Sequence, residues 1–168
     1  LIMKIRVALQ QRVIPTYRVP FLEQLASHPD IELAIIAGLA RTQEMITAAN
    51  SIQGACYEKI TNYHLLKDRF YVCYQPQLLS YVKKLNPNVL IVEGNPRYPA
   101  TQSAMRWMKK DPRRAVIAWG LGVPQHPGRF AQLRAYFRRN FLAQFDAIIA
   151  YSRSGATQYQ QAGVPKNK

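Results

Sequence analysis

The stretch Ile5-Arg6-Val7-Ala8-Leu9, then Pro20-Phe21-Leu22, then Ile31-Glu32-Leu33-Ala34-Ile35-Ile36-Ala37-Gly38 decides the fold. Its outer pieces are apolar runs of strand length, and the second of them ends at a glycine. Between them Pro20 suits the first turn of a helix, where a missing N–H costs nothing, and Phe21, Leu22, Leu25 and Ala26 recur three and four apart. His28-Pro29-Asp30 stops that helix. Two apolar strands joined by one helix are the unit of a parallel sheet, and the crossover is right-handed.

The alternation returns further along the chain. Leu78, Leu79, Val82 and Leu85 share one helical face, Asn86-Pro87-Asn88 closes it, and Val89-Leu90-Ile91-Val92 is a continuous apolar strand of the kind covered on both faces. A helix is expected over residues 101–110 with Ala104, Met105 and Met108 inward. A buried strand over 115–119 then ends in Gly120-Leu121-Gly122. A long helix over 130–145 and a last strand over 147–150 follow, and Ser152 is placed to cap a final helix over 155–161. The middle is weaker: 41–50 reads as a weak helix, 55–60 as a short strand, and 69–73 as a short strand or loop. The sum is an α/β fold, a doubly wound and mostly parallel Rossmann-like sheet with helices on both faces. Its main strands are expected in the order 3-2-1-4-5-6, with residues 89–92 central.

With 168 residues, 48% of them apolar, the chain can bury a core without staples. Cys56 and Cys73 have no CxxC spacing and no histidine in a ligand pattern, so neither a structural zinc nor another metal is expected. The opening segment carries charge at alternate positions, unlike the apolar run of a signal peptide, and no stretch approaches 18 to 20 apolar residues. Lys and Arg number 23 against 9 Asp and Glu, and the excess sits late: residues 97–168 hold 13 basic and 2 acidic side chains, residues 1–96 hold 10 and 7. An anionic partner follows from that balance. Nucleic acid is disfavoured, because no RRM, KH, helix-turn-helix or zinc-finger pattern is present and the ten tyrosines are spread through the chain.

In an open parallel sheet, ligands bind beyond the carboxyl ends of the strands. The loops expected there are 10–18, 38–42, 93–98, 120–128 and 151–155. Glu93 directly follows four apolar strand residues, so its carboxylate needs solvent, a bound hydroxyl, or a partner such as Arg18 or Arg97. Tyr17, Arg18, Glu93, Asn95, Arg97 and Leu121 are expected on one rim, with Gly120, Gly122 and His126 lining the same cleft. His126 is the histidine placed for a ligand contact; His28 is expected to cap a helix and His64 to lie in an exposed loop. No dinucleotide fingerprint follows Leu9, and Walker, HExxH and Gly-x-Ser-x-Gly patterns are absent. In the 130–145 helix, Phe130, Leu133, Phe137 and Phe141 are expected to anchor one face to the sheet. Arg134, Arg138 and Arg139 then emerge on another face, turned to an anionic membrane surface where each is worth roughly 1 kcal/mol.

Six segments together resemble the N-terminal domain of the GT-B fold, retaining "group 1" glycosyltransferases of bacterial envelope glycolipid and polysaccharide synthesis. They are Lys4 to Ala8, Pro15 to Phe21, Val92 to Arg97, Val116 to Gly122, Ala147 to Ser152, and Ala162 to Pro165. The resemblance implies that residues 1–168 are an acceptor-side domain and that a C-terminal, donor-binding domain is absent from this chain. It implies transfer of a sugar from a nucleotide-sugar donor, held mainly by that other domain, to a sugar or lipid-linked acceptor. Tyr17, Arg18, Glu93, Asn95 and Arg97 would then contact the acceptor, no cofactor is implied, and the location is cytoplasmic, peripheral on the inner face of the membrane. Many relatives carry a histidine just after the Trp-Gly of the fifth strand; Leu121 stands here and cannot donate a hydrogen bond, so no catalytic residue is nominated.

Overall fold

Strand β1 (Ile5–Val13) leads into helix α1 (Val19–Ala26), with Pro20 in its first turn, and α1 returns the chain to β2 (Ile31–Gly38). The computed structural model describes residues 4–67, 70–123 and 129–168. Strand β3 (Cys56–Lys59) extends the sheet, β4 (Tyr63–Leu65) and β5 (Val72–Tyr74) form a separate ribbon, and α2 (Leu78–Leu85) leads into β6 (Val89–Glu93). The pattern then repeats through α3 (Pro99–Met108), β7 (Ala115–Gly120), α4 (Ala131–Ala143), β8 (Ala147–Ala150) and α5 (Arg153–Gln161).

The main sheet has six strands in the order β3-β2-β1-β6-β7-β8, all pairs parallel. This is the doubly wound order expected from sequence, with the progression of strands switching from one side of β1 to the other at β6. Apolar residues on both sides of each central strand divide into two cores. On one face Val7, Leu9, Leu33, Ile35 and Ile91 pack with Leu22 of α1 and with Ala49 and Ile52 of the loop after β2. On the other face Ala8, Ile36, Leu90, Val92, Val116 and Ala118 meet Leu78 and Val82 of α2, Ala104, Met105 and Met108 of α3, Phe141 and Leu142 of α4, and Tyr159 of α5. Burial of these side chains supplies the main stabilisation, each large aliphatic or phenyl side chain worth about 1.5–3 kcal/mol by transfer.

Several elements depart from the sequence reading. Strand β1 runs on to Val13, so Gln10 and Gln11 belong to a buried strand and not to a loop. Within 41–50 only a single turn of 3-10 helix forms, Thr42–Glu44. Strand β4 was not expected, and His64 lies in it, half-buried, not in an exposed loop. His28 does not cap a helix through its side chain: its Nδ1 accepts from the backbone N–H of Asp30 at 3.3 Å.

The largest correction concerns α4. Phe141 and Leu142 are buried, but Phe130, Leu133 and Phe137 are 60%, 52% and 63% exposed and anchor nothing. Only the last turn of the helix reaches the core; its earlier turns border a cleft against the end of α5, lined by Gln132, Ala135, Tyr136, Arg139 and Gln161. Arg134 and Arg139 are exposed and Arg138 is half-buried.

The turn from β8 into α5 is fixed as expected, with Ser152 Oγ accepting from the backbone N–H of Gly155 at 3.0 Å. Gly155 itself is buried, and a Cβ there would sit 2.8 Å from the carbonyl oxygen of Leu121. Replacing Gly155 by alanine therefore forces the start of α5 away from the end of β7, and overpacking of this kind costs about 1–3 kcal/mol. Urea unfolding should show that loss for Gly155→Ala and almost none for Ser154→Ala, whose side chain is exposed; equal stabilities would refute the close contact.

Candidate functional site

The carboxyl ends of β1, β6 and β7 form one rim, and its shape begins with a bulge. Pairing of β1 with β2 runs residue for residue to Gln11 opposite Ala37 and then resumes with Val13 opposite Gly38, so Arg12 has no counterpart. A bulge re-aims a side chain and frees backbone groups from the ladder. Here the Arg12 carbonyl accepts from Asn62 Nδ2 at 2.7 Å, and its N–H lies beside the Glu93 carboxyl. The guanidinium turns to Glu44, with Nη1 2.6 Å from Oε2, and Arg41 binds the other oxygen of the same carboxylate at 2.8 Å.

A chain of buried amides lies beside this bulge. Glu93 N–H donates to Gln10 Oε1 at 3.3 Å, Gln10 Nε2 donates to Gln75 Oε1 at 2.6 Å, and Gln75 Nε2 donates to Asn62 Oδ1 at 2.7 Å. Asn62 Nδ2 completes the chain on the carbonyls of Arg12 and Leu39. The ends of β1, β2 and β6 are thus held by buried Gln10 and Gln75 and half-buried Asn62, and bonds shielded from water are costly to break.

The carboxyls of Glu44 and Glu93 titrate in opposite directions. Burial pushes Glu44 up, but its hydrogen bonds from Arg12 and Arg41 outweigh that and hold it down at about 2. For Glu93 burial wins and raises its pKa, against the bonds from Arg12 N–H and the Tyr98 hydroxyl and the charges of Arg12 and Arg18. Burial likewise raises Tyr98, and burial with the neighbouring Cys73 brings Tyr71 to about 12. The Tyr71 hydroxyl lies 2.8 Å from Nδ1 of His64, whose pKa is lowered first by burial and then by the charges of Arg12 and Arg41.

Further along the rim is an aromatic wall. Trp119 and Tyr151 stack with centroids 5.3 Å apart and planes at 21°, and Phe21 tilts against Trp119 at 5.8 Å. The Arg18 guanidinium lies over Tyr151, Trp119 and Tyr17 at 5.0, 5.3 and 5.7 Å from their centroids and donates to Gln11 Oε1. Cation–π contacts of this geometry are worth about 0.5–2 kcal/mol each.

Of the residues expected here, Tyr17, Arg18 and Glu93 share this rim. Asn95 is half-buried and spends its side chain on the turn, accepting from Arg97 N–H at 3.0 Å. Arg97 is exposed and is not the partner of Glu93; that role falls to Arg12 and Tyr98. Leu121 follows β7 and is 80% exposed. Gly120 lies against Tyr159, whose hydroxyl accepts from Gly122 N–H at 3.3 Å, so both glycines serve the contact with α5. His126 lies outside the described residues. Both cysteines are free, and among the described residues no three His, Cys, Asp or Glu side chains gather as a metal-binding group.

Sequence reasoning missed Gln10, Gln11, Arg12, Glu44, Gln75, Tyr98 and Tyr151. Only the Gln10-Gln11-Arg12 run carried a signal, three polar residues continuing an apolar strand at the end where ligands bind. The domain is Rossmann-like, a general architecture compatible with nucleotide- and sugar-binding enzymes. No protein-family model matches the chain, and no match is found among the curated proteins.

The depressed Glu44 gives a pH dependence with a definite sign. A carboxyl whose folded pKa lies below its ordinary value of 4.5 adds stability that is full above that value and is lost as pH falls toward about 2. Glu93, shifted upward, acts in the opposite sense, losing stability as pH rises through its own range. Glu44→Gln should therefore melt below the parent at pH 7, with the gap closing between about pH 4.5 and 2. A gap that stays constant across that window in thermal unfolding would show that the ion pairs with Arg12 and Arg41 are not what Glu44 contributes.

Proposed function

We propose that this chain is the acceptor-side domain of a GT-B type retaining glycosyltransferase, working with a separate donor-binding domain. The observation that carries the reading is the rim that joins Trp119, Tyr151 and Tyr17 to Arg18 and Glu93. Sugars present apolar C–H faces that rest on aromatic rings and hydroxyls that bond to carboxylates, amides and guanidinium groups. In the whole enzyme a hydroxyl of the acceptor attacks the anomeric carbon of the donor sugar. The bond from that carbon to the diphosphate oxygen breaks, the nucleoside diphosphate leaves, and the hydroxyl proton is released. The donor-binding domain supplies most of the stabilisation of the leaving group's charge, and closure of the two domains excludes water. Tyr17, Arg18 and Glu93 act on the acceptor by holding and orienting it. Leu121 offers no hydrogen bond, so the chemistry near the donor sugar is assigned to no residue of this chain.

Two measurements test this. Calorimetric titration of the isolated chain with UDP- and GDP-sugars should give dissociation constants weaker than about 1 mM, equivalent to less than roughly 4.1 kcal/mol. A micromolar constant would mean that the donor site is here and would overturn the domain assignment. In the enzyme with both domains, Arg18→Ala should raise KM for acceptor far more than for donor, whereas equal losses would make Arg18 a support of the fold.

A second reading, attachment to an anionic membrane surface, is favoured by α4. Its exposed Phe130, Leu133, Tyr136 and Phe137 lie among Arg134, Arg138 and Arg139. Apolar side chains that enter the acyl boundary, with arginines at headgroup level, are the features of an interfacial helix. No helix among the described residues is long and apolar enough to cross a membrane. The chain should co-sediment with anionic vesicles at low salt, release at about 0.5 M salt because screening shortens the reach of surface charge, and ignore neutral vesicles. Replacing Arg134, Arg138 and Arg139 by glutamate should abolish binding. Stronger binding to nucleic acid than to vesicles at matched charge would count against a membrane.

A further inference from the structure

Arg18 differs from the other arginines of the rim in how its charge is met. Arg12 and Arg41 share the Glu44 carboxylate, whereas Arg18 has no carboxylate at ion-pair distance among the described residues. Its guanidinium is half-buried against three rings and bonded to a neutral amide oxygen. That amide, Gln11, is only 1% exposed, and its Nε2 is a buried donor with no hydrogen-bond partner. Nε2 comes beside the Tyr151 oxygen without reaching hydrogen-bond geometry, which places it on the same side of the rim as Arg18. A buried N–H left empty is expensive, and natural proteins retain few of them. Apolar side chains would fill the place of Gln11 at no such cost.

The two features answer each other. A guanidinium with no carboxylate at ion-pair distance among the described residues offers charge-assisted donors, and the orphaned amide offers one more beside it, with the Tyr151 hydroxyl next to them and the Glu93 carboxyl further off. Stacking holds Arg18 in place before anything binds, so little side-chain freedom is left to lose. We propose that Arg18 and Gln11 Nε2 form an oxyanion subsite in the aromatic wall, and that the acceptor carries a phosphate or carboxylate group seated there. This rests on the acceptor-side reading above and narrows it to an acidic acceptor. Guanidinium recognises both groups through paired N–H donors, so the shared chemistry is a planar-edged or tetrahedral oxyanion next to a sugar ring.

Trp119 lies under Arg18 and reports directly on the subsite; Trp107, which packs on Arg114 at 4.0 Å, is removed as Trp107→Phe. In that background the fluorescence of the chain is titrated with glucose 1-phosphate, glucuronate, inorganic phosphate and glucose. A saturable response to glucose 1-phosphate or to glucuronate, at least tenfold tighter than to glucose, supports the subsite. Which of the two responds tells a phosphorylated acceptor from an acidic sugar. Gln11→Glu tests the geometry, since its carboxylate pairs with Arg18 and needs no donor partner. It should raise the melting temperature of the free chain and weaken the anion response at least tenfold, whereas Arg18→Lys, which keeps charge without the fork, should weaken it less than Arg18→Gln. An unchanged response in Gln11→Glu, or equal responses to glucose and to the anions, overturns the proposal. Equal responses that still depend on Arg18 leave the acceptor-side reading standing. Inorganic phosphate binding as tightly as glucose 1-phosphate supports the subsite but counts against a sugar beside it.

Discussion

One additional residue in the central strand governs the rim. Without a partner in β2, the backbone of Arg12 must satisfy its N–H and carbonyl elsewhere, since buried backbone groups are not left unpaired. The carbonyl is taken by Asn62, between β3 and β4, and the N–H comes beside the Glu93 carboxyl at the end of β6. The guanidinium recruits Glu44 from the turn after β2, and Arg41 with it. Two loops with no regular pairing to the sheet are thus fixed, with the end of β6, at one bulge. The amide chain through Gln10, Gln75 and Asn62 then ties the loop before α2 to the same point.

The same arginine serves two carboxyls with opposite results. Glu44 receives two guanidinium groups in direct contact, and that attraction exceeds the penalty of burial. Glu93 receives only a backbone N–H and a hydroxyl as direct partners, with the charges of Arg12 and Arg18 further off, and desolvation prevails. Contact with the charge itself, not mere proximity, decides which carboxyl stays ionised. The Arg12–Arg41–Glu44 group keeps one positive charge, and Arg18 adds another with no carboxylate at ion-pair distance among the described residues, so the rim is cationic in a half whose sequence shows only a small basic excess.

Continuous apolar runs made the sheet legible. Residues 32–37, 89–92 and 115–119 could be placed because each is long, uniform and bounded by turn residues, and their order followed from alternation with helices. The ends of elements were harder, for physical reasons. Gln10 and Gln11 look like the start of a loop, because nothing in a sequence says that the Gln10 amide has found partners 65 and 83 residues away. Strand β4 has three residues, too few for any period to register. In α4 the apolar spacing was real, yet spacing fixes only which residues share a face, not whether anything covers that face. At the site, Arg18 and Glu93 were found by position after a strand, whereas the Arg12–Glu44 pair joins residues 32 apart and leaves no local trace.

The aromatic wall follows from the way the sheet is covered. Helices α2, α3 and α5 and the last turn of α4 all pack on one face, and on the other α1 packs over β1 and β2. Trp119 and Ile149 pair across β7 and β8, and Ile149 is left exposed, so among the described residues no helix shields this part of the second face. Trp119 is covered only by Phe21 from the first turn of α1, Tyr151 and Arg18 among the described residues. Rings in place of a helix leave the surface apolar enough to hold a sugar face, while the guanidinium between them supplies the charge that a second core could not have tolerated unpaired. Incomplete winding of the second face thus creates the open, half-apolar and cationic rim on which any ligand of this domain must act.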